Sequence, residues 1–451
     1  MIALTETAHT LLAHHASGPL GGELRPPGDK SISHRALILA TLAEGQSRIE
    51  GLLRAEDVDA TAKACRRLGA RVKSANGVLR LEGVGKAGLT APDGPLDMGN
   101  SGTAMRLLAG VLAAQGFDSV LTGDESLRRR PMERIAEPLR ELGAVIRTAP
   151  GGCAPLEIEG GHPLLGIVYR SPVASAQVKS CVLLAGLYAA GETRVIEAAP
   201  SRDHTERMLR AFGADMPGDT AVRGGTRLQA TELAVPADPS SAAFLLAAAA
   251  IVPESRIRLR EVGLNPTRAG FLEALRAMKC DVRISGHRDF GAEPVGEVEM
   301  RWHRGIRAID LAPESVPALI DELPALMVVA ALADGVTRIR GAAELRVKES
   351  DRIAVMAGGL ARLGFTVRER PDGMDIEGRP QARGSGDSDT VEVDAAGDHR
   401  CAMSFAVLAQ ALGTAVRIRG AAHIATSYPG FVRDLSALGG AVSVEEEAAH
   451  V

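Results

Sequence analysis

The sequence predicts an α/β protein of two domains assembled from six copies of one repeating unit, and three observations predict it. The length of 451 residues exceeds what one ordinary core organises, so two domains of roughly 200 residues each are the natural division. Aromatic residues make up only 3% of a chain that is 45% apolar. The core must therefore be built from Ala, Leu, Val and Ile, which suits helices packed on sheets better than a small β-sandwich. Finally, three landmarks recur six times in one fixed order.

The first landmark is a helix that ends in Leu-Gly-Ala or a variant of it, followed by a β-branched run. Its middle residues are Gly69, Gly143, Gly213, Lys279, Gly364 and Gly439, separated by 74, 70, 66, 85 and 75 residues. The second is an Ala/Leu-rich helix that stops at a turn and leads into a strand of alternating charge: SRIEG (47–51), DSVLTG (118–123), TRVIEA (193–198), SRIRLREV (255–262), TRIRG (337–341) and AVRIRG (415–420). A glycine after a helix supplies the left-handed stop, and the alternation of Arg with Val or Ile marks a half-buried strand. The third is the start of each Ala/Leu helix: GDKSIS (28–33), GNSGTA (99–104), ASAQVK (174–179), DPSSAA (238–243), SVPALIDE (315–322) and AGDHRCAM (396–403). Most open with the Asp, Asn, Ser or Gly that cap helices. Free N–H groups and the macrodipole make such starts attractive to anions. Residues 1–19 read as a flexible tail.

Composition removes several function classes. A net charge of −4 carries no general attraction for nucleic acid or an anionic membrane, and basic residues lack the interleaved aromatics of a nucleic-acid platform. Cys65, Cys153, Cys181, Cys280 and Cys401 are far apart, with no CxxC and no Cys/His cluster. That argues against structural zinc and a disulfide framework, and fits a reducing cytoplasm. The N-terminus lacks the layout of a signal peptide. The longest apolar run, around 244–252, falls well short of the ~20 residues that span a bilayer.

The chemistry-bearing residues cluster at the helix starts. Lys30 and Arg35 can reach one anion beyond the start of their helix, or serve as solvated charges around an ordinary cap made by Asp29 or Ser31. The Gly99–Arg106 stretch can bring backbone N–H groups to a phosphate or form a tight turn. Arg128-Arg129-Arg130 reads first as a solvated basic loop, although the planar fork of Arg also suits phosphate and carboxylate. Lys179 opens an apolar helix and requires an anionic partner. His204 reads as a hydrogen-bonded structural histidine. Asp321 and Glu322 interrupt an apolar stretch, so at least one requires a basic partner or a raised pKa. The Arg346–Arg352 stretch alternates charge densely, as a helix start stabilised by local pairs does. No hydrolase elbow, zinc spacing, dinucleotide fingerprint or P-loop is present. Acid–base chemistry on small anions remains.

PGDKSISHRALILATLAEG, LDMGNSGTAMRLL, LTGDESLRRRPM, VASAQVKSCVLLAGL, SRDHTERML, ELRVKESDRI and GDHRCAMSF resemble, in order across residues 20–440, the motifs of the 5-enolpyruvylshikimate-3-phosphate synthase family. SRDHT, RPM and the Thr426 noted below resemble its second bacterial class. The resemblance implies two inside-out α/β-barrel-like domains, each of three βαβαββ units, with crossovers near Pro27–Lys30 and Ala237–Pro239. One domain would then comprise 20–28 with 239–451, and the other 29–238. The implied reaction transfers the carboxyvinyl group of phosphoenolpyruvate to the 5-hydroxyl of shikimate 3-phosphate, without cofactor or metal. The implied protein is a cytoplasmic monomer.

The same resemblance assigns residues. Shikimate 3-phosphate falls to Lys30, Ser31, Arg35, Ser175, Ala176, Gln177, Arg202, Asp321 and Lys348. Phosphoenolpyruvate falls to Lys30, Asn100, Gly102, Arg130, Gln177, Arg352 and Arg400. Asp321 is the candidate acceptor of the 5-hydroxyl proton and Glu349 the candidate donor to the vinyl CH₂, with Lys30 sharing proton traffic. Ala176 stands where many relatives carry a second Ser, which shifts a phosphate contact elsewhere, with Arg202 the candidate. Thr426 stands where some relatives carry a Lys. Gly102 is the position whose Ala form is associated with resistance to glyphosate, so this chain is expected to be sensitive to that inhibitor. The alternative is a UDP-N-acetylglucosamine enolpyruvyl transferase, which places a reactive Cys in the loop occupied here by Asp124–Arg130. A non-catalytic anion-binding repeat protein and a relative of RNA 3′-phosphate cyclases are weaker readings.

Overall fold

The computed structural model describes residues 10–382 and 388–445. Contacts divide the chain into two compact units. One holds the described residues up to Pro27 together with Ala237–Arg288 and those from Pro294 onward; the other holds Gly28–Pro236 with Asp289–Glu293.

Six sheets are present among the described residues, three in each unit. Each carries a parallel pairing, formed across a β–α–β crossover or with a segment distant in the chain. In the Gly28–Pro236 unit, strand Leu96–Asp97 pairs in parallel with Ser119–Thr122 across the Gly102–Leu112 helix. Val168–Ser171 pairs with Glu192–Glu197 across Ala176–Gly186. The first sheet borrows its parallel partners from the end of the unit, Leu228–Gln229 and Glu232–Ala234, for strand Ala43–Glu50. In the other unit, Gly21–Leu24 plays that part for Arg256–Gly263. Ser388–Asp394 pairs in parallel with Thr414–Arg419, and parallel bridges at Arg307↔Asp334 and Asp310↔Arg338 complete the set.

The first helix of each repeat is buried nearly all round. In the Pro239–Ile251 helix every residue from Ser240 to Ile251 is buried. Such helices sit inside with the sheets outside them. Pro239–Ile251, Leu323–Ala331 and His399–Ala409 pack on one another, and Gly102–Leu112 packs on both Lys30–Leu42 and Ala176–Gly186. Small residues permit this closeness: a Cβ at Gly110 would lie 2.2 Å from the Cys181 carbonyl oxygen. The second helix of each repeat is amphipathic, as in Glu56–Arg67, which buries Val58, Ala62 and Cys65 and opens with acidic residues. Each unit has its own aliphatic core.

The helix-stop landmark has a backbone cause. Its middle residue adopts positive φ in all six repeats, including the non-glycine Lys279 at +67°. Side chains cap five of the six buried helices at their starts: Asp29, Ser101, Ser175, Asp238 and Asp398. The fifth repeat departs from expectation. Residues Pro313–Ala318 form a 3₁₀ turn and the helix begins only at Leu323. Pro324 is tolerated in a first turn but not deeper, because it lacks an N–H and its ring collides with the preceding turn.

The expected tail over 1–19 is corrected in part. Thr10–His14 is a strand lying between Thr414–Arg419 and Ala441–Glu445, with Leu11 and Ala13 buried. Two open strand edges and an apolar alternation draw it in. Residues 1–9 lie outside the described residues.

Candidate active site

The predicted residues fall into clusters, each within its own unit. In the Gly28–Pro236 unit, Asp29 caps the Lys30–Leu42 helix by accepting from Ile32 N at 2.8 Å. That leaves Lys30 at the first helical position, where its ammonium pairs with Asp57. Arg35, one turn on, is buried. Its Nε donates to Thr205 Oγ1 at 2.6 Å, Nη2 to Ser180 Oγ at 2.7 Å and Nη1 to the Ser31 carbonyl at 3.0 Å. Ser180 in turn bonds the Ala176 carbonyl. Burial, offset in part by Glu206 and Asp29, pulls the Arg35 guanidinium down to about 10, so it stays charged at neutral pH. Ser175 caps the helix that Ala176 begins. Arg202 is half-buried in the loop ahead of the His204–Ala211 helix, and its charge acts against that of Arg35.

That loop is tightly held. Lys179 is 2% exposed and bonds Glu197 at 2.7 Å and Glu206 at 2.8 Å, so the anionic partner it required is doubled. Burial raises the Glu206 carboxyl, opposed by Lys179. Lys179 also donates to the Ser201 carbonyl at 3.3 Å, and Glu197 accepts from the Ser201 hydroxyl. His204 Nδ1 lies 2.6 Å from Glu293 Oε1, both buried, which agrees with a structural histidine. Asp203 is taken up by Arg207 at 2.8 Å.

A second cluster gathers Asn100, Gly102, Arg130 and Gln177. Asn100 donates to Asp124 Oδ2 at 2.8 Å and accepts from Arg130 through its side chain and its carbonyl. Of the three consecutive arginines, Arg128 and Arg129 are solvated and only Arg130 is buried. Gln177 accepts from Arg106 at 2.5 Å and donates to Thr103 Oγ1 at 2.9 Å. A Cβ at Gly102 would stand 3.2 Å from Arg106 Nη1 and 3.3 Å from Arg130 Nη1. This glycine therefore keeps two guanidinium ends clear.

The other unit contains the carboxylates. Arg352 is 1% exposed and begins the Arg352–Arg362 helix. Its Nε meets Asp398 at 2.7 Å, Nη2 meets Glu349 at 2.5 Å and Nη1 meets Asp321 at 3.3 Å. Burial alone would lower this guanidinium, but Asp398, Glu349 and Asp321 outweigh it and hold it above its ordinary value. Lys348 Nζ lies 3.5 Å from Asp321, and Arg400 Nη1 donates to the Asp321 carbonyl at 2.9 Å. Both carboxylates that interrupt the apolar stretch have cations, since Glu322 meets Arg268 at 3.2 Å. The Arg346–Arg352 run combines the local pairs expected of it, such as Arg346 with Asp351 at 2.6 Å, with these long-range ones. Thr426 is buried and donates to the His423 carbonyl at 2.7 Å.

Arg106 and Asp398 stand in motifs singled out from the sequence, at the end of the Gly99–Arg106 stretch and in GDHRCAMSF, but without an assigned substrate contact or role; Asp57 stands in none of them. Arg106 was readable, lying one helical turn after Gly102. So was Asp398, whose capping position places it beside Arg400. Asp57 carries no such signal, because only the fold brings it to Lys30.

Buried arginine, lysine and carboxylate clusters at helix starts in both units fit an enzyme working on small anionic substrates. The family model for EPSP synthase (3-phosphoshikimate 1-carboxyvinyltransferase) matches residues 14–435. The 3-phosphoshikimate 1-carboxyvinyltransferase of Xanthomonas campestris pv. campestris is 53% identical over 416 residues, 91% of this chain and 93% of its own. That of Methylococcus capsulatus is 52% identical over 426 residues, 94% and 96% of the two chains. The EPSP synthase structure from Acinetobacter baumannii has a TM-score of 0.84 and 45% identity, covering 97% of this chain and 100% of that one. The chain belongs to the EPSP synthase family. Its fold is the two-domain enolpyruvyl transferase fold, and it is a transferase of the shikimate pathway.

Proposed function

We propose that the carboxylates gathered on Arg352 carry the proton transfers of the family's reaction, while the Lys30–Arg35 and Asn100–Arg130 groups hold its substrates. The reaction moves the carboxyvinyl group of phosphoenolpyruvate to the 5-hydroxyl of shikimate 3-phosphate and releases phosphate. Addition comes first. The 5-oxygen attacks C2 of phosphoenolpyruvate, Asp321 takes the hydroxyl proton, and Glu349 gives a proton to C3, making it a methyl group. Elimination follows from the resulting tetrahedral intermediate: the C2–O bond to phosphate breaks, phosphate leaves with the proton that Asp321 took, and Glu349 removes a proton from the methyl group, so both carboxyls regain their starting forms.

The observation that carries this reading is the contact of one buried guanidinium with Asp321, Glu349 and Asp398. It fixes the two reacting carboxyls at one place, as acid–base chemistry needs. Arg352 and Arg400 meet charge on the leaving phosphate. Lys30, Ser31, Arg35, Ser175, Ala176, Gln177, Arg202, Asp321 and Lys348 bind shikimate 3-phosphate. Lys30, Asn100, Gly102, Arg130, Gln177, Arg352 and Arg400 bind phosphoenolpyruvate.

Glyphosate competes at the second group, where Gly102 presents no methyl. The protein acts as a cytoplasmic monomer: its five free thiols fit a reducing compartment, and light scattering on the eluting protein tests the monomer. A phosphate-release assay with phosphoenolpyruvate and either shikimate 3-phosphate or UDP-N-acetylglucosamine tests the function. Turnover only with the latter acceptor would overturn it.

A further inference from the structure

We infer that Asp57 is a positioning residue for Lys30, held in place by a brace that Ser33 and His34 build between two helices. The inference rests on the reading that Lys30 binds substrate. Asp57 lies in the first turn of the Glu56–Arg67 helix, 27 residues from Lys30, and its carboxylate pairs with the Lys30 ammonium. The side chains are 5% and 16% exposed respectively, so the pair is largely withdrawn from solvent while the lysine keeps some access.

Two neighbours of Lys30 fasten the partner segment. Ser33 Oγ accepts from Leu53 N at 3.0 Å, anchoring the approach to the second helix. His34 Nδ1 lies 2.7 Å from Thr61 Oγ1, and Thr61 Oγ1 donates to the Asp57 carbonyl at 3.3 Å. The brace therefore runs from the Lys30 helix through His34 and Thr61 back to the residue that meets Lys30. Ser33 and His34 are both fully buried, so neither is placed to touch substrate. Their position inside the KSISH motif is explained by holding the aspartate.

The physical need is clear. A lysine ammonium is a compact charge on a flexible four-carbon stem with several rotamers. At a helix start it also faces the positive end of the dipole, which opposes its charge. A buried carboxylate selects one rotamer and offsets that opposition. Arg35 needs no such partner, because its planar fork is already fixed by Thr205, Ser180 and Ser31.

The test is a double-mutant cycle in the full-length enzyme: wild type, Asp57→Asn, Lys30→Met and the double variant. Shikimate 3-phosphate binding is read by calorimetry, alongside kcat and KM. Asp57→Asn should weaken binding about tenfold to a hundredfold, the worth of a charged contact. The double variant should bind no more weakly than Lys30→Met alone, because Asp57 acts through Lys30. Normal binding by Asp57→Asn overturns the inference. So does a double variant weakened by the product of the two single effects, which is what a merely structural aspartate gives. Lys30→Met with normal binding and turnover would instead remove Lys30 from the site, a separate failure read from its own arm. If Asp57→Asn does not fold, Asp57→Glu, which keeps the carboxylate, takes its place in the cycle. Coupling to Lys30 then supports the role and simple additivity overturns it.

Discussion

Arg352 donates from Nε to Asp398 Oδ2 at 2.7 Å, and both side chains are buried. Asp398 also caps its helix by accepting from Arg400 N at 2.9 Å. One carboxylate thus orients the guanidinium that meets Glu349 and Asp321, and fixes the backbone of the second arginine. The planar fork suits this, since its separate nitrogens reach three carboxylates from three fixed positions, whereas an ammonium must meet all its partners from one atom. Arg352→Lys should therefore fold but lose about two orders of magnitude in kcat, within the range for misplaced acid–base groups. Phosphate-release kinetics and urea denaturation of the same preparation measure both quantities. Near-normal turnover would show that the fork is dispensable.

Removing the carboxylates separates proton transfer from binding. Asp321→Ala and Glu349→Ala should each lower kcat by about 10²–10⁴, with much smaller changes in substrate affinity. Steady-state kinetics with both substrates, backed by calorimetry, give the split. A variant that keeps its kcat loses its assigned role.

Gly102 makes a steric prediction. A methyl group there would stand 3.2 Å from Arg106 Nη1 and 3.3 Å from Arg130 Nη1, tighter than comfortable contact, so one or both arginines must yield. Gly102→Ala should raise the glyphosate inhibition constant more than the KM for phosphoenolpyruvate, because the longer inhibitor has less room to adjust. An unchanged inhibition constant would refute the steric argument.

Acid should loosen the Lys30 helix through His34. Burial is the main cause that holds this imidazole well below 6.5, with Lys30 and Arg35 adding to the effect and Asp29 opposing it. Below pH 6.5 the unfolded chain takes up a proton that the folded chain refuses, so stability falls as pH falls towards the folded value. The slope for one such group is about 1 kcal/mol per pH unit. Urea midpoints from pH 7.5 to 5.5 should decline less steeply in His34→Asn, which keeps a polar group near Thr61. Equal slopes would remove His34 as the cause.

Much of this was legible in the chain. The helix stops were readable because the left-handed turn is a local matter, and five helix starts were readable because Asp and Ser caps are local too. Lys179, Asp321 and Glu322 announced buried charge needing partners, since a charge in an apolar run is costly wherever it lies. The start at Leu323 was missed because two prolines break the pattern. The strand Thr10–His14 was missed because five residues with polar surroundings resemble a tail until open strand edges receive them.

By itself, the sequence determined the six-fold α/β plan, the residues capable of meeting phosphate, and the family resemblance that gathers them into a reaction. Those features depend on neighbours a few positions away, or on side-chain type alone. Only the tertiary structure decided which charge meets which. It pairs Lys30 with Asp57, sets Arg106 against Gln177, solvates Arg128 and Arg129 while burying Arg130, and hangs three carboxylates on Arg352. An ion pair is formed by packing that brings distant segments within a few ångströms, and no local pattern encodes that distance.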